Sequence, residues 1–323
     1  MRVLFAGSPA IAVPSLVKLC NTEGIEIAGV LTNADTAKGR HGAMQPTEVG
    51  EAAQKLQNIS IFPVIKPIKL DAPVREHIGL LKADLLVSFA YGQIFGPKFL
   101  ELFPLGGINV HPSLLPKYRG PSPVQAAILN RDTAAGISIQ ELAAQMDSGD
   151  ILDSRELQLT GRETSASLGE NFSVMAAEML PDVLIKIADG SIKPVKQNND
   201  LASYCPLIRK EDGIIDWNCC AADIEAKIRA FDTWPLCRTI HNGRELILLK
   251  ADVYKGNING KAAQNGQVLG IDKNNGILIQ TGDGILAVTE LQYQAKKALH
   301  WRDFLNGARD FAGNDHNPAL LGR

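Results

Sequence analysis

The chain has 323 residues, of which 45% are hydrophobic and 21% are charged. This composition excludes disorder over most of the chain, and the length favours two domains over a single one. The formal net charge of −2 excludes the overall basicity of a protein that coats nucleic acid, so an RNA partner would need a local basic patch.

The cysteines and histidines give no sign of a disulfide framework or a metal site. No Cys-x-x-Cys pair occurs, and the six histidines have no zinc-ligand spacing. No apolar run is long enough to cross a membrane, and the N-terminus lacks the apolar region of a secretion signal. We therefore expect a cytoplasmic protein whose cysteines are reduced thiols, namely Cys20, Cys205, Cys219, Cys220 and Cys237.

The first half of the chain alternates short apolar runs with amphipathic stretches. This alternation predicts an α/β domain with a mainly parallel, Rossmann-like sheet and helices on both faces. The predicted elements are a strand over 2–6, a helix over 12–20, and strands over 25–31, 84–90 and 106–111.

The pattern of apolar and polar residues changes in the second half of the chain, after a long predicted helix over 163–189. The polar segment 190–206 contains two prolines and predicts a linker. One helix near 220–230 is followed by short strands, which predict a small β-barrel or sandwich. Those strands are predicted over 244–249, 266–271, 276–280 and 284–289. We expect a first domain over 1–189, a linker over 190–206 and a second domain over 207–315.

The turn Gly7-Ser8-Pro9 follows the first predicted strand. It is compatible with a phosphate-binding turn or with a tight strand-to-helix turn. It matches neither the Gly-x-Gly-x-x-Gly dinucleotide pattern nor a Walker motif with its lysine. The tight turn is therefore favoured, and a nicotinamide-dependent dehydrogenase finds little support.

Asn109 and His111 are the most informative polar pair. Side chains two residues apart on a strand point to the same face, so these two project together while Ile108 and Val110 face the other side. Pro112 ends the strand, at the edge where open α/β sheets bind their ligands. On the residues alone, a functional site and a histidine that merely packs at a strand end are equally compatible with this pattern.

Asp147 and the segment 119–123 are open to two interpretations each. Asp147 lies in a glycine-containing loop, where it either caps the next element or orients His111. The segment 119–123 has the residues of a turn that opens a helix near 124–129. Two basic segments, 38–42 and 296–309, suit either a solvated surface or a contact to an anionic partner.

The segment 109–120, which reads NVHPSLLPKYRG, resembles the folate-dependent formyltransferases. The combination of Asn-x-His, the Ser-Leu-Leu-Pro loop and a downstream Asp-x-Gly is highly specific for that family. Three further segments resemble its methionyl-tRNA members, namely 119–125, 210–217 and 228–235. The resemblance extends over nearly the whole chain and implies a smaller, OB-like β-barrel as the second domain.

The resemblance also implies an activity and its partners. A monomer would transfer the formyl group of 10-formyltetrahydrofolate to the free α-amine of methionyl initiator tRNA, without a metal, for translation initiation. Asn109 and His111 would donate hydrogen bonds to the oxyanion of the tetrahedral intermediate. Asp147 would orient His111, favour its protonated form, and relay a proton, with a water, from the amine to N10 of the folate.

Binding residues are implied in the same way. Folate contacts are expected from a loop over 140–147 that closes over the pterin, and from two further segments. Those segments supply Ser113, Leu114, Leu115, Pro116, Phe89, Ala90, Tyr91 and Gly92. Contacts to tRNA are expected from Arg40, Arg209 and Lys210. The basic loop around Arg40 lacks two lysines that are usual in the family.

Three alternatives remain open. A formyltransferase acting on a sugar-nucleotide amine would share the catalytic residues, although the segments 210–217 and 228–235 argue against it. A folate-dependent hydrolase would use water in place of the amine. A non-catalytic RNA-binding protein would not need Asn109, His111 and Asp147 intact.

Overall fold

The computed structural model describes residues 1–38, 42–58, 61–256, 263–308, 311, 313–314 and 317–322. The chain forms two compact units. The first comprises Met1–Pro123, Ala134–Gln158 and Leu168–Pro206, and the second comprises Val124–Thr133, Leu159–Ser167 and Leu207–Arg323. Among the described helices, none is long and apolar enough to span a membrane.

The first unit is built on nine strands. They are β1 (Arg2–Gly7), β2 (Glu26–Leu31), β3 (Thr36–Lys38), β4 (Ala43–Gln45), β5 (Val64–Ile65), β6 (Leu85–Phe89), β7 (Gly107–His111), β8 (Ala134–Glu141) and β9 (Ile151–Gln158). The helices of this part of the chain are α1 (Val13–Cys20), α2 (Glu48–Leu56), α3 (Ala72–Gly79), α4 (Pro97–Leu100), α5 (Pro123–Leu129) and α6 (Ser165–Ala188).

Seven of these strands form one sheet in the order β5-β2-β1-β6-β7-β8-β9. The pairs from β5 to β7 are parallel, whereas β8 is antiparallel to both of its neighbours. All five residues of β6 are buried, as expected for a central parallel strand that is covered on both faces. The predicted mainly parallel α/β sheet is thus confirmed.

The sheet positions two segments that matter for the site. The segment 190–206, predicted as a linker, belongs to the first unit and packs there. Val195 exchanges two backbone hydrogen bonds with Ile151, each 2.8 Å long, and Gln197 and Cys205 are buried. The turn at Gly7 is a packing turn, because a Cβ on Gly7 would lie 2.9 Å from the Phe89 carbonyl oxygen.

The second unit is an antiparallel β domain, as predicted. Its elements are α7 (Ala221–Ala230), β10 (Cys237–His241), β11 (Arg244–Val253), β12 (Val268–Asp272), β13 (Gly276–Gln280), β14 (Ile285–Tyr293), β15 (Leu299–His300), α8 (Trp301–Gly307), β16 (Gly313–Asn314) and β17 (Asn317–Pro318). The main sheet has the order β10-β11-β14-β13-β12, and β15 pairs with β14. Strand β10 was not predicted, although Asn242-Gly243, with both φ angles positive, is a typical hairpin turn between β10 and β11.

We predict that Gly136→Ala destabilises the first unit by about 1–3 kcal/mol, because extra atoms in a packed core force a backbone shift. A Cβ there would lie 2.3 Å from the Arg155 carbonyl oxygen and 2.6 Å from Leu114 Cδ2. Urea unfolding followed by far-UV circular dichroism measures the loss of stability. Tryptophan fluorescence would not report on the first unit, because all three tryptophans lie in the second unit.

The matched control is Gly169→Ala within α6, where a Cβ would meet nothing within 4 Å. Alanine is the better helix former, so this change should raise the free energy of unfolding by up to ~1 kcal/mol and shift the midpoint to a slightly higher urea concentration. Equal midpoints for the two variants would contradict the packing at Gly136.

Candidate active site

A cavity of about 500 Å³ opens at the carboxyl ends of β6 and β7. Residues from the segments 88–95, 109–112, 120–123 and 140–147 line it. Its position follows from the fold, because parallel strands bring their carboxyl ends, and the loops that follow them, to one edge of the sheet. The cavity joins the two chain segments that carry the predicted catalytic residues.

Asn109 and His111 both line the cavity, as their spacing on β7 predicts. Ile108 and Val110 are each only 2% exposed. Strand β7 ends at His111, directly before Pro112. The imidazole of His111 is itself buried, with 4% of the residue exposed, so its ring position is set by packing and hydrogen bonds.

One hydrogen bond fixes the proton arrangement on His111. Its Nε2 lies 2.9 Å from the carbonyl oxygen of Tyr118. A carbonyl oxygen only accepts, so Nε2 carries a proton and donates it. In the neutral ring Nδ1 is therefore unprotonated, and it lies 3.5 Å from Oδ1 of Asp147.

Burial lowers the pKa of His111 below its ordinary value of 6.5. The nearby carboxylate of Asp147 and the hydrogen bond to Tyr118 oppose this shift without reversing it. At neutral pH the imidazole is thus mainly neutral and presents Nδ1 as a proton acceptor. Asp147 acts on the imidazole in the expected direction, toward the protonated form, but burial has the larger effect on the pKa. The donation of a hydrogen bond from His111 to the oxyanion stays a prediction.

Asp147 is held by hydrogen bonds from β8 and from the segment that follows His111. Its Oδ2 accepts a hydrogen bond from the Gly120 backbone N–H at 2.8 Å. Its Oδ1 accepts one from Gln140 Nε2 at 2.9 Å. Its own backbone has a φ of 52°, in the left-handed region. These contacts place the carboxylate beside His111, which favours the orienting interpretation of Asp147 over the capping one.

Arg119 lies behind the cavity-lining residues Gly120 and Asp147 and is buried, with 1% of the residue exposed. Its Nε and one terminal nitrogen donate to Oε1 of Gln197, at 3.1 and 2.7 Å. The same terminal nitrogen donates to Oδ1 of Asn199 at 2.8 Å. The segment 119–123, predicted as a simple turn and helix start, therefore contains a buried cation.

Gln197 connects Arg119 to the loop that carries Asp147. Its Nε2 shares two hydrogens among the carbonyl oxygens of Asp147 (3.0 Å) and Gly149 (2.7 Å) and Oε1 of Gln140 (3.2 Å). Sequence reasoning missed Gln197 because it lies in a polar segment without periodicity. A pattern of apolar residues carries no signal for a contact of this kind.

The predicted folate residues divide into two groups. Ala90, Tyr91 and Gly92 line the cavity, whereas Phe89 and the loop 113–116 do not. In that loop the Ser113 hydroxyl donates to the Lys117 carbonyl at 2.6 Å, and the Leu115 N–H donates to Ser138 Oγ at 3.0 Å. These bonds tie Ser113 and Leu115 to the structure behind the cavity. Folate contacts from this loop and from Phe89 stay predictions.

The Tyr91 side chain belongs to the apolar core as well as to the cavity wall. It is 2% exposed and packs against Phe95, with ring centroids 5.3 Å apart. Burial raises the pKa of Tyr91 to about 12, so the phenol stays neutral at physiological pH. Its part in the site is to shape the wall.

Two of the three predicted tRNA residues are described by the structure, and neither lines the cavity. Arg40 falls outside the described residues. Arg209 and Lys210 are exposed side chains of the second unit. Within the described part of the chain, no three His, Cys, Asp or Glu side chains come together as metal ligands.

Both halves of the chain match known protein families. Residues 1–184 match the family described as formyl transferase, and residues 207–309 match its C-terminal domain. A protein named methionyl-tRNA formyltransferase from Treponema denticola is 46% identical over 317 residues, which cover 96% of this chain and 98% of that protein.

Two solved structures are similar in fold. The N-formyltransferase of Helicobacter canadensis, solved with folinic acid and dTDP-3-aminofucose, has a TM-score of 0.65 at 20% identity, covering 88% of this chain and 97% of that chain. Methionyl-tRNA formyltransferase of Clostridium thermocellum has a TM-score of 0.56 at 18% identity, covering 80% and 95%. The family matches extend over both halves of the sequence and the relative is similar over nearly its whole length, so this chain belongs to the formyl transferase family.

Proposed function

We propose that this chain transfers the formyl group of 10-formyltetrahydrofolate to the α-amine of methionyl initiator tRNA. The observation that carries the proposal is the cavity wall where Asn109, His111 and Asp147 meet. An amide donor, a neutral imidazole and a carboxylate are the groups that a formyl transfer between two nitrogens requires.

The acceptor is supported by the relatives. The Treponema denticola protein, 46% identical, is named for methionyl-tRNA. Support for the sugar-nucleotide alternative comes from likenesses in fold at 20% and 21% identity, which are far weaker than the similarity to the Treponema denticola protein. Folate as the donor is supported by the Helicobacter canadensis structure, which was solved with folinic acid bound.

The proposed reaction begins with attack of the neutral α-amine on the formyl carbon at N10. As the new C–N bond forms, the formyl oxygen becomes an oxyanion, which the Asn109 amide stabilises as a hydrogen-bond donor. The amine proton passes to Nδ1 of His111. The resulting imidazolium, flanked by Asp147, stabilises the oxyanion and then gives the proton to N10 as the C–N10 bond breaks.

We further assign the two parts of the chain different tasks. Residues 1–189 would carry the catalytic domain and residues 207–315 a tRNA-binding domain, with 190–206 between them. Arg40, Arg209 and Lys210 would contact tRNA phosphates, so affinity for tRNA should fall as salt rises. The protein would act as a monomer in the cytoplasm, where its five thiols stay reduced.

The direct test is to incubate the purified chain with 10-formyltetrahydrofolate and charged tRNA. We expect formyl-methionine on the initiator tRNA, and little product on a charged elongator methionine tRNA or a sugar-nucleotide amine. Mass spectrometry of the released amino acid measures the product. Consumption of 10-formyltetrahydrofolate without formation of formyl-methionine would contradict the proposed acceptor.

Removal of a catalytic side chain should lower turnover while the fold persists. For Asn109→Ala, which deletes an oxyanion donor, we expect a loss in kcat on the order of 10²–10³-fold. His111→Ala should lose at least as much, because it removes the proton acceptor as well. His77→Ala, an exposed histidine of the same unit, is the matched control and should keep full activity. Full activity in a folded His111→Ala protein would overturn the assignment.

The pH dependence of kcat tests the protonation state of His111. Because only the neutral imidazole accepts the amine proton, kcat should rise with pH through a midpoint below 6.5. Asp147 raises the pKa of His111, so Asp147→Asn should move this midpoint to still lower pH and reduce the maximal rate. A midpoint that stays in place in Asp147→Asn would show that another group titrates.

A further inference from the structure

The segment 195–205 is fixed along the back of the cavity wall by backbone hydrogen bonds. Arg119 N–H donates to the Ser203 carbonyl at 2.8 Å, and Cys205 N–H donates to the Arg119 carbonyl at 2.8 Å. Val195 pairs with Ile151 at the start of β9. The segment therefore spans from the strand after the Asp147 loop to the loop after His111.

The orientation of the Gln197 amide follows from its partners. A guanidinium only donates, so the group that faces Arg119 must be Oε1. The NH₂ group then faces the carbonyl oxygens of Asp147 and Gly149, which only accept. Gln197 is 6% exposed, and the two ends of its amide contact two different partners: Oε1 accepts from Arg119, and the NH₂ group donates to the Asp147 loop. An amide suits this place, because one end must accept and the other must donate.

The turn that Gln197 contacts is under conformational constraint. Asp147 has a φ of 52°, in the left-handed region that L-residues rarely adopt. A Cβ on Gly149 would lie 1.9 Å from the Glu141 carbonyl oxygen, so the turn is pressed against β8. Such a conformation persists only where surrounding contacts hold it. The NH₂ group of Gln197 donates hydrogen bonds to the carbonyl oxygens of Asp147 and Gly149, the residues on either side of Ser148.

We propose that Gln197 is a positioning residue that holds the Asp147 carboxylate toward His111. The inference rests on the proposed formyl transfer and adds a residue that does not touch the reacting atoms. Arg119 takes part by fixing the amide, since its buried charge keeps Oε1 turned away from the loop. Loss of the NH₂ donor would let the Asp147 turn relax, and a displacement of about 1 Å at a reacting group costs on the order of 10²-fold in rate.

The test compares Gln197→Glu with Lys196→Ala. Gln197→Glu keeps acceptors for Arg119 but places an oxygen against the carbonyls of Asp147 and Gly149. We expect kcat to fall on the order of 10²-fold while KM for 10-formyltetrahydrofolate stays close to wild type. Lys196→Ala shortens the exposed neighbouring side chain in the same segment, so its kcat should stay close to wild type.

A double variant separates positioning from a general loss of structure. If Gln197 acts through Asp147, Gln197→Glu should add little to the loss already caused by Asp147→Asn, as measured in single-turnover reactions. Should Gln197→Glu fail to fold, Gln197→Asn, which keeps an uncharged acceptor and donor on a side chain one methylene shorter, is measured in the same way. Three outcomes would each overturn the inference: losses that multiply in the double variant, an unchanged kcat in Gln197→Glu, or an equal loss of kcat in Lys196→Ala. A wild-type protein without formyl transfer would instead refute the proposed function.

Discussion

A buried guanidinium is the constraint on which the candidate site depends. Arg119 is 1% exposed, and an arginine side chain stays charged in a protein. A buried charge without partners would cost several kcal/mol, so the fold must supply acceptors. It supplies the amide oxygens of Gln197 and Asn199, about eighty residues later in the chain. Satisfying Arg119 therefore requires the segment 195–205 to lie against the loop that follows His111.

The choice of neutral acceptors for Arg119 has an electrostatic consequence for Asp147. Its carboxylate accepts hydrogen bonds from the N–H groups of Gly120 and Gln140. Such dipoles fix the position of a carboxylate without supplying a full opposite charge. The negative charge of Asp147 thus remains effective at His111, where it opposes the lowering of the pKa by burial.

The sequence predicted those parts of the structure that have a repeating pattern. Continuous apolar runs located β1, β2, β6 and β7, and the two-residue period placed Asn109 and His111 on one face. Strand β9 was missed because it is an edge strand with polar residues on both faces. The catalytic roles themselves came from the resemblance to a family, since the residues alone left two interpretations open.

The supporting contacts had no such pattern. A bond between Arg119 and Gln197 joins positions 78 residues apart, and a polar segment with prolines resembles a linker whether or not it packs. The loop 113–116 shows that a family motif does not by itself give the contacts of its residues. Its motif identifies the family, whereas only the structure shows that Ser113 and Leu115 form hydrogen bonds to Lys117 and Ser138.

The protonation of His111 connects this architecture to the proposed chemistry. In the resting site, burial disfavours the imidazolium, and the Tyr118 carbonyl keeps the only proton of the neutral ring on Nε2. In the proposed reaction the oxyanion would form beside His111 and add a second negative charge to that of Asp147, which would raise the pKa of the imidazole. The site would then bind the amine proton more strongly in the transition state than before it, which is the condition for acceleration. That gain depends on distance, so the contacts that hold Asp147 are as necessary to the proposed reaction as the residues that face the cavity.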